Sequence, residues 1–158
     1  MRIKEACNRM SDKGNGRLEA AVLQVANRLE ELERLQVFLD AVAEQGGWPG
    51  KLKMDFLLCC EELLTNTIHY GFPQGGDHTI TITAATEDGI ASILLEDGGI
   101  AFNPFLDSDE PDISLSVEER DIGGLGIFFV KQRMDSFHYE RTTNGNRLSL
   151  AKALTSTP

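Results

Sequence analysis

The stretch Phe56-Leu57-Leu58-Cys59-Cys60-Glu61-Glu62-Leu63-Leu64-Thr65-Asn66-Thr67-Ile68-His69-Tyr70-Gly71-Phe72 decides how this chain is read. Phe56, Cys60, Leu63, Leu64 and Ile68 recur at helical spacing and form one apolar stripe. Glu62 and Asn66, four residues apart, stack one turn above the other on the opposite side, which sets a carboxylate beside a carboxamide. A carboxylate can take a proton or orient water, and an amide oxygen is a hard ligand that magnesium accepts alongside waters and phosphate oxygens. Taken alone, the pair is also what the solvated face of any amphipathic helix carries, so its meaning depends on the rest of the chain.

Upstream of this helix, residues 1–16 are polar and contain Ser11-Asp12-Lys13-Gly14-Asn15-Gly16, a composition expected of a mobile tail. Residues 17–25 are a strand candidate, followed by a helix start signal at Asn27 with Glu30 placed for a capping box. Leu32, Leu35, Leu39 and Val42 step by three and four, so a helix to about residue 45 should pack on a sheet, with Gly46, Gly47 and Pro49 as its stop.

Downstream, residues 78–86 alternate as a strand, Asp88-Gly89 is a two-residue hairpin turn, and residues 90–96 return with Ala91, Ile93 and Leu95 on one face. Asp97 continues that face and should point into the gap between sheet and helices. Residues 103–122 show no sustained period and contain two prolines, which predicts a long loop of the kind that serves as a lid. Gly123-Gly124-Leu125-Gly126 then opens an apolar helix over 127–134, and a last hairpin, 136–142 and 146–153, turns at Asn144-Gly145. About five mainly antiparallel strands with three helices on one face make an α+β fold, a two-layer α/β sandwich.

At 158 residues the chain holds one ordinary domain, expected over 17–158 after the tail. Its net charge of -10 argues against a nucleic-acid partner, since such a binder needs a cationic face to displace counterions. No window approaches the roughly 18 apolar residues of a membrane span, and the first residues lack the apolar core of a signal peptide, so a cytoplasmic protein is expected. The three cysteines fit neither a zinc spacing nor a disulfide framework and read as small core residues in a reducing compartment.

Two further signals bear on the Glu62–Asn66 pair. Asp97-Gly98-Gly99 ends a strand with a carboxylate and glycines, which is an ordinary turn or a place where a ligand nears the backbone. Gly123 to Gly126 at a helix start offer bare amides and the positive end of a helix dipole, a hinge or a phosphate seat. No Gly-Lys-Ser or Gly-Lys-Thr follows a glycine run, so a P-loop is excluded.

The order of these signals resembles the GHKL ATPases of the gyrase, Hsp90, histidine kinase and MutL type. Glu62-Leu63-Leu64-Thr65-Asn66 looks like the N box, Asp97-Gly98-Gly99-Ile100-Ala101-Phe102 like the G1 box and Gly124-Leu125-Gly126 like the G2 box. Over 17–153 the chain is most similar to the small anti-sigma-factor serine kinases of the RsbW type. The resemblance implies a Bergerat ATP-binding fold using ATP and Mg2+, with Asn66 holding magnesium, Glu62 as general base and Asp97 accepting from the adenine amino group. It implies that Gly99 admits adenine to the backbone, that Gly124 and Gly126 cradle phosphates, and that Phe102, Gly123 and Leu125 belong to the nucleotide-binding set.

Two departures from the pattern stand out. A histidine sometimes found four residues after the N-box asparagine is Tyr70 here, with His69 before it expected to be partly packed. The lid is acidic, with Asp107, Asp109, Glu110, Asp112, Glu118, Glu119 and Asp121, which leaves Arg120 as its one cation for the phosphates or a partner. The implied function is phosphorylation of a STAS-domain anti-sigma-factor antagonist, with a sigma factor as a second partner and a homodimer as a possible state. A histidine kinase would need a dimerisation and phosphoacceptor helix pair, for which 158 residues leave no room beside the ATP domain. The alternative is a nucleotide-dependent binding module that holds its partner without phosphorylating it.

Overall fold

Period-two hydrophobicity and tight turns build the sheet. In the computed structural model, which describes residues 20–107 and 124–155, five strands pair antiparallel in the order β1-β2-β3-β5-β4. They are β1 (Ala21–Ala26), β2 (Thr79–Glu87), β3 (Ile90–Asp97), β4 (Ser136–Thr142) and β5 (Gly145–Ala153). Asp88 at φ 52° and Gly89 at φ 77° both lie in the left-handed region, the conformation whose twist suits a two-residue hairpin. That turn fixes the register, with Ile82 opposite Leu95 and Ala84 opposite Ile93, while Leu148 and Leu150 of β5 face Leu95 and Ile93 from the other side. One face of the sheet therefore presents a continuous apolar surface, and all of these side chains are buried.

The helices that cover this face are α1 (Leu32–Gly46), α2 (Gly50–Tyr70), the single turn α3 (Pro104–Asp107) and α4 (Gly124–Arg133), with a 3-10 turn at Leu29–Glu31 before α1. α1 buries Leu35, Leu39, Val42 and Ala43, and ends at Gly47, whose φ of 67° lets its N–H reach the carbonyls of Ala43 and Glu44. α2 begins at Gly50, six residues ahead of the expected start at Phe56, because its apolar face already includes Leu52 and the extended Pro49 leads straight into it. Phe56, Cys60, Leu63 and Leu64 lie in the core as their spacing predicts, with Ile68 packed at its margin. Cys59 and Cys60 are both buried and unbridged, as small core residues.

Some local expectations change. The capping box at Asn27 and Glu30 does not form, since the cap of α1 is Glu31 and makes no side-chain capping bond. Asn27 instead reaches across to the loop before β2, accepting from His78 N at 2.9 Å and donating to Gly76 O at 3.1 Å. Glu31, not Glu30, reaches back, accepting from Ala26 N at 3.3 Å. Within the described residues β1 starts at Ala21, four residues after the expected start. The long loop opens with a helical turn, because Asn103 Oδ1 accepts from Phe105 N at 3.0 Å and Pro104 takes the first helical position. The expected tail, most of the expected lid, Arg120 and Gly123 lie outside the described residues.

Phe56 is fully buried and its ring centroid is 4.8 Å from that of Trp48, whose Nε1 donates to Thr86 Oγ1 at 2.8 Å. Phe56→Ala should therefore cost about 3–5 kcal/mol through lost transfer energy and the cavity left behind. Trp48 is the single tryptophan, so its fluorescence in a urea titration reads the lowered midpoint directly.

Candidate functional site

The C-terminal half of α2 carries two polar side chains one turn apart. Asn66 Nδ2 donates to Glu62 Oε1 at 3.3 Å, which leaves the amide oxygen of Asn66 as a free ligand atom among the described residues. Burial raises the proton affinity of Glu62 above the ordinary carboxylate value, and the hydrogen bond from Asn66 works against that shift without cancelling it. A half-buried carboxylate with raised basicity, next to an oriented amide, suits proton transfer beside a metal-bound phosphate.

α4 closes over this pair. A Cβ placed at Gly126 would fall inside the Glu62 carboxyl group, so a side chain here would push that carboxylate from its place. The glycines expected ahead of the helix form its first turn, since α4 starts at Gly124 and includes Leu125 and Gly126. The positive end of its dipole thus stands against Glu62, where an anion would be stabilised.

Asp97 occupies the end of β3 on the helix-facing side, as the strand parity predicts. Its Oδ1 accepts from Gly99 N at 2.8 Å and from Asn146 Nδ2 at 3.0 Å, while Oδ2 has no hydrogen bond among the described residues. Asn146, 5% exposed, also donates to Ile100 O at 2.7 Å and accepts from Tyr139 Oη at 2.6 Å and from Arg141 Nη1 at 3.2 Å. Arg141 Nη1 further donates to Gly99 O at 2.7 Å. The carboxylate is held on one oxygen and presents the other. Asp97, Asn146, Asn66, Thr67, Leu63, Leu148, Gly71, Phe102 and Pro104 line one narrow pocket. The pocket holds only about 10 Å³, less than a flat heterocycle needs, so entry of one requires its walls to part.

Gly99 stands where the end of β3 meets the end of α2. A Cβ there would lie 2.5 Å from Gly71 O, and Ile100 N donates to that same carbonyl at 2.9 Å. Its missing side chain thus serves the closure of strand on helix. Phe102 packs near Tyr70, with centroids 5.7 Å apart. His69 is exposed, contrary to the expectation of partial packing, and lies beside Tyr70 at 6.3 Å.

Glu62, Asn66, Asp97, Gly99, Phe102 and Gly126 therefore fall in one region between α2, α4 and the ends of β3 and β5. Sequence reasoning missed Asn146, Tyr139 and Arg141. The available signal was a polar residue at an inward-facing position of β5, two residues before Leu148 and directly opposite Asp97. Among the described residues no group of three or more His, Cys, Asp and Glu could hold a metal ion. The donor set therefore fits magnesium only through Asn66 Oδ1 together with phosphate oxygens and water. A roomier cavity of about 440 Å³ at the other end of the sheet, lined by Pro49, Lys51, Asp55, Asp135 and Lys152, has no comparable grouping of glycines and free carboxylate. No helix among the described residues is long and apolar enough to cross a membrane.

Comparison with known proteins agrees with this geometry. Residues 25–152 match the family described as histidine kinase-like ATPase domain. The serine/threonine-protein kinase BtrW of Bordetella bronchiseptica is 26% identical over 113 residues, which cover 72% of this chain and 79% of that protein. The serine-protein kinase RsbW of Listeria monocytogenes is 24% identical over 116 residues, covering 72% of this chain and 74% of that one. The chain belongs to the histidine kinase-like ATPase family.

Proposed function

We propose that this protein transfers the γ-phosphoryl group of ATP to a serine or threonine of a STAS-domain anti-sigma-factor antagonist, and so controls a sigma factor in the bacterial cytoplasm. The observation that carries this reading is the meeting of Glu62 and Asn66 with the glycine end of α4, beside a pocket that ends on Asp97. In this reading Asp97 Oδ2 accepts from the adenine amino group, and the first turn of α4 donates amides to the phosphates. Magnesium, held by Asn66 Oδ1 and the phosphates, would neutralise charge on the transferring group. The partner hydroxyl oxygen forms the new bond to the γ-phosphorus, the bond to the ADP oxygen breaks, and the hydroxyl proton passes to Glu62. A homodimer is consistent with this function and is not required by it.

Glu62→Gln keeps size and most hydrogen bonding but deletes the basic oxygen, so ATP should still bind while transfer falls by on the order of 10² to 10⁴. Asn66→Ala should abolish both tight ATP binding and transfer. Radiolabelled ATP with the cognate STAS protein, compared across wild type and both variants, reads transfer, and retention of the nucleotide on the protein reads binding. ATP-dependent binding of that partner by the wild type with no label transferred would replace the kinase with a holding module.

Glu62 must be ionised to act, and burial raises its pKa. The transfer rate should therefore fall as pH drops through a value above the ordinary glutamate range, and Glu62→Gln should lack that acid limb. The same shift has a sign for stability. A carboxylate whose folded pKa is raised favours the folded state at acid pH and loses that contribution as pH rises through the folded value. Thermal midpoints of wild type should thus fall relative to Glu62→Gln between mildly acid and neutral pH.

Asp97→Asn should weaken ATP and erase its advantage over GTP, because guanine places a carbonyl where adenine places its amino group. Calorimetric titration of both nucleotides checks this. Equal affinities in the wild type would remove Asp97 from base recognition.

A further inference from the structure

Asp55, on α2 at the opposite end from Asn66, is 2% exposed and is held by two cations. Its Oδ1 accepts from Arg133 Nη1, and its Oδ2 from Lys152 Nζ at 3.4 Å. Lys152 Nζ also donates at 2.5 Å to the carbonyl of Arg133, one of the acceptors that the end of α4 leaves without a helical partner. One carboxylate thus joins α2, α4 and β5.

The spacing of the contacts gives the cluster its meaning. Asp55 and Glu62 are seven residues apart on α2, and Gly126 and Arg133 are seven apart on α4. The pairs run antiparallel, Glu62 against Gly126 and Asp55 against Arg133. Seven residues are two turns, or about 10 Å of helix axis. α4 therefore touches α2 at two points of one face, a neutral glycine contact at the site and a charged contact two turns away. Cys59 lies between them, 1% exposed, and burial together with the Asp55 charge pushes its thiol up to about 12.

Apolar contact also seats α4. Ile127 and Val130 are its buried apolar side chains among those described, with Met134 just beyond its end. By contrast, a buried carboxylate that loses its partner is strongly unfavourable, so the ion cluster resists sliding or rotation of the helix.

We propose that Asp55, Arg133 and Lys152 are positioning residues for the phosphate end of the nucleotide: their cluster fixes the axial seat of α4 and so decides where its glycine turn meets Glu62. The proposal rests on the nucleotide reading above and deepens it. It separates two halves of recognition. The base pocket is built from α2, β3, β5 and the start of the long loop, whereas the phosphate seat is the first turn of α4.

The test titrates wild type, Asp55→Asn and Arg133→Gln by calorimetry with magnesium-ATP and, separately, with adenosine. ATP should bind about tenfold more weakly to both variants, because a small displacement of a positioned contact is costly. Adenosine, which reaches no phosphate seat, should change by less than about twofold. Arg133→Lys, which keeps a cation at the helix end, should recover most of the ATP affinity. Alkylation of Cys59, followed by peptide mass spectrometry, should be faster in Arg133→Gln than in wild type as α4 loosens, although loss of that cation would by itself raise the thiol and slow the reaction. ATP affinity equal to wild type in both variants overturns the proposal, as does equal weakening of ATP and adenosine, which would mark a general structural role. If Asp55→Asn does not fold, Arg133→Gln decides alone, since the Arg133 side chain is 37% exposed. Failure of wild type to bind either ligand would remove the nucleotide reading itself, and this proposal with it.

Discussion

Helix α4 comes so close to α2 that the Glu62 carboxyl group fills the space a side chain at residue 126 would need. This approach has two effects that cannot be separated. It withdraws Glu62 from water, which raises its proton affinity, and it brings the positive end of a helix dipole to the same place. A carboxylate alone on the surface of α2 would be an ordinary acid, and a helix start alone would be an ordinary anion trap. Their contact sets a carboxylate of raised proton affinity and a helix start against one wall.

The second wall is organised around Asp97, and here the strategy is different. Glu62 is tuned by burial, whereas Asp97 is held by hydrogen bonds, with Gly99 and Asn146 on one oxygen and the other left free among the described residues. Asn146 is in turn fixed by Tyr139 and Arg141, so both strands of the last hairpin stand behind one carboxylate. A side chain whose orientation is settled before ligand arrives loses little freedom on binding. Asn66 lies in the same pocket as Asp97 and within hydrogen-bond reach of Glu62, which makes it the link between the two walls.

The fold was largely legible because its signals are local and repeat. Alternation in β2 and β3, the Asp88-Gly89 turn and the stripes of α1 and α2 each follow from side-chain geometry within a few residues. The misread capping box at Asn27 shows where such reasoning fails. Asn27 can cap a helix or bond a distant loop, and His78 and Gly76, about fifty residues away in the chain, offered the better partners.

The sequence by itself determined the sheet, the apolar faces that cover it, and the order in which Glu62, Asn66, Asp97 and the glycines of α4 appear. Order suffices to recognise the family, because the turns and periods that carry those residues are encoded beside them. Tertiary structure alone decided which groups touch. Asn146 became the partner of Asp97 through the β3–β5 register, Gly126 met Glu62 through the packing of two helices, and Asp55 gathered Arg133 and Lys152 from elements 78 and 97 residues further along the chain. Such contacts depend on how whole elements dock, and no local period records the distance at which two faces come to rest.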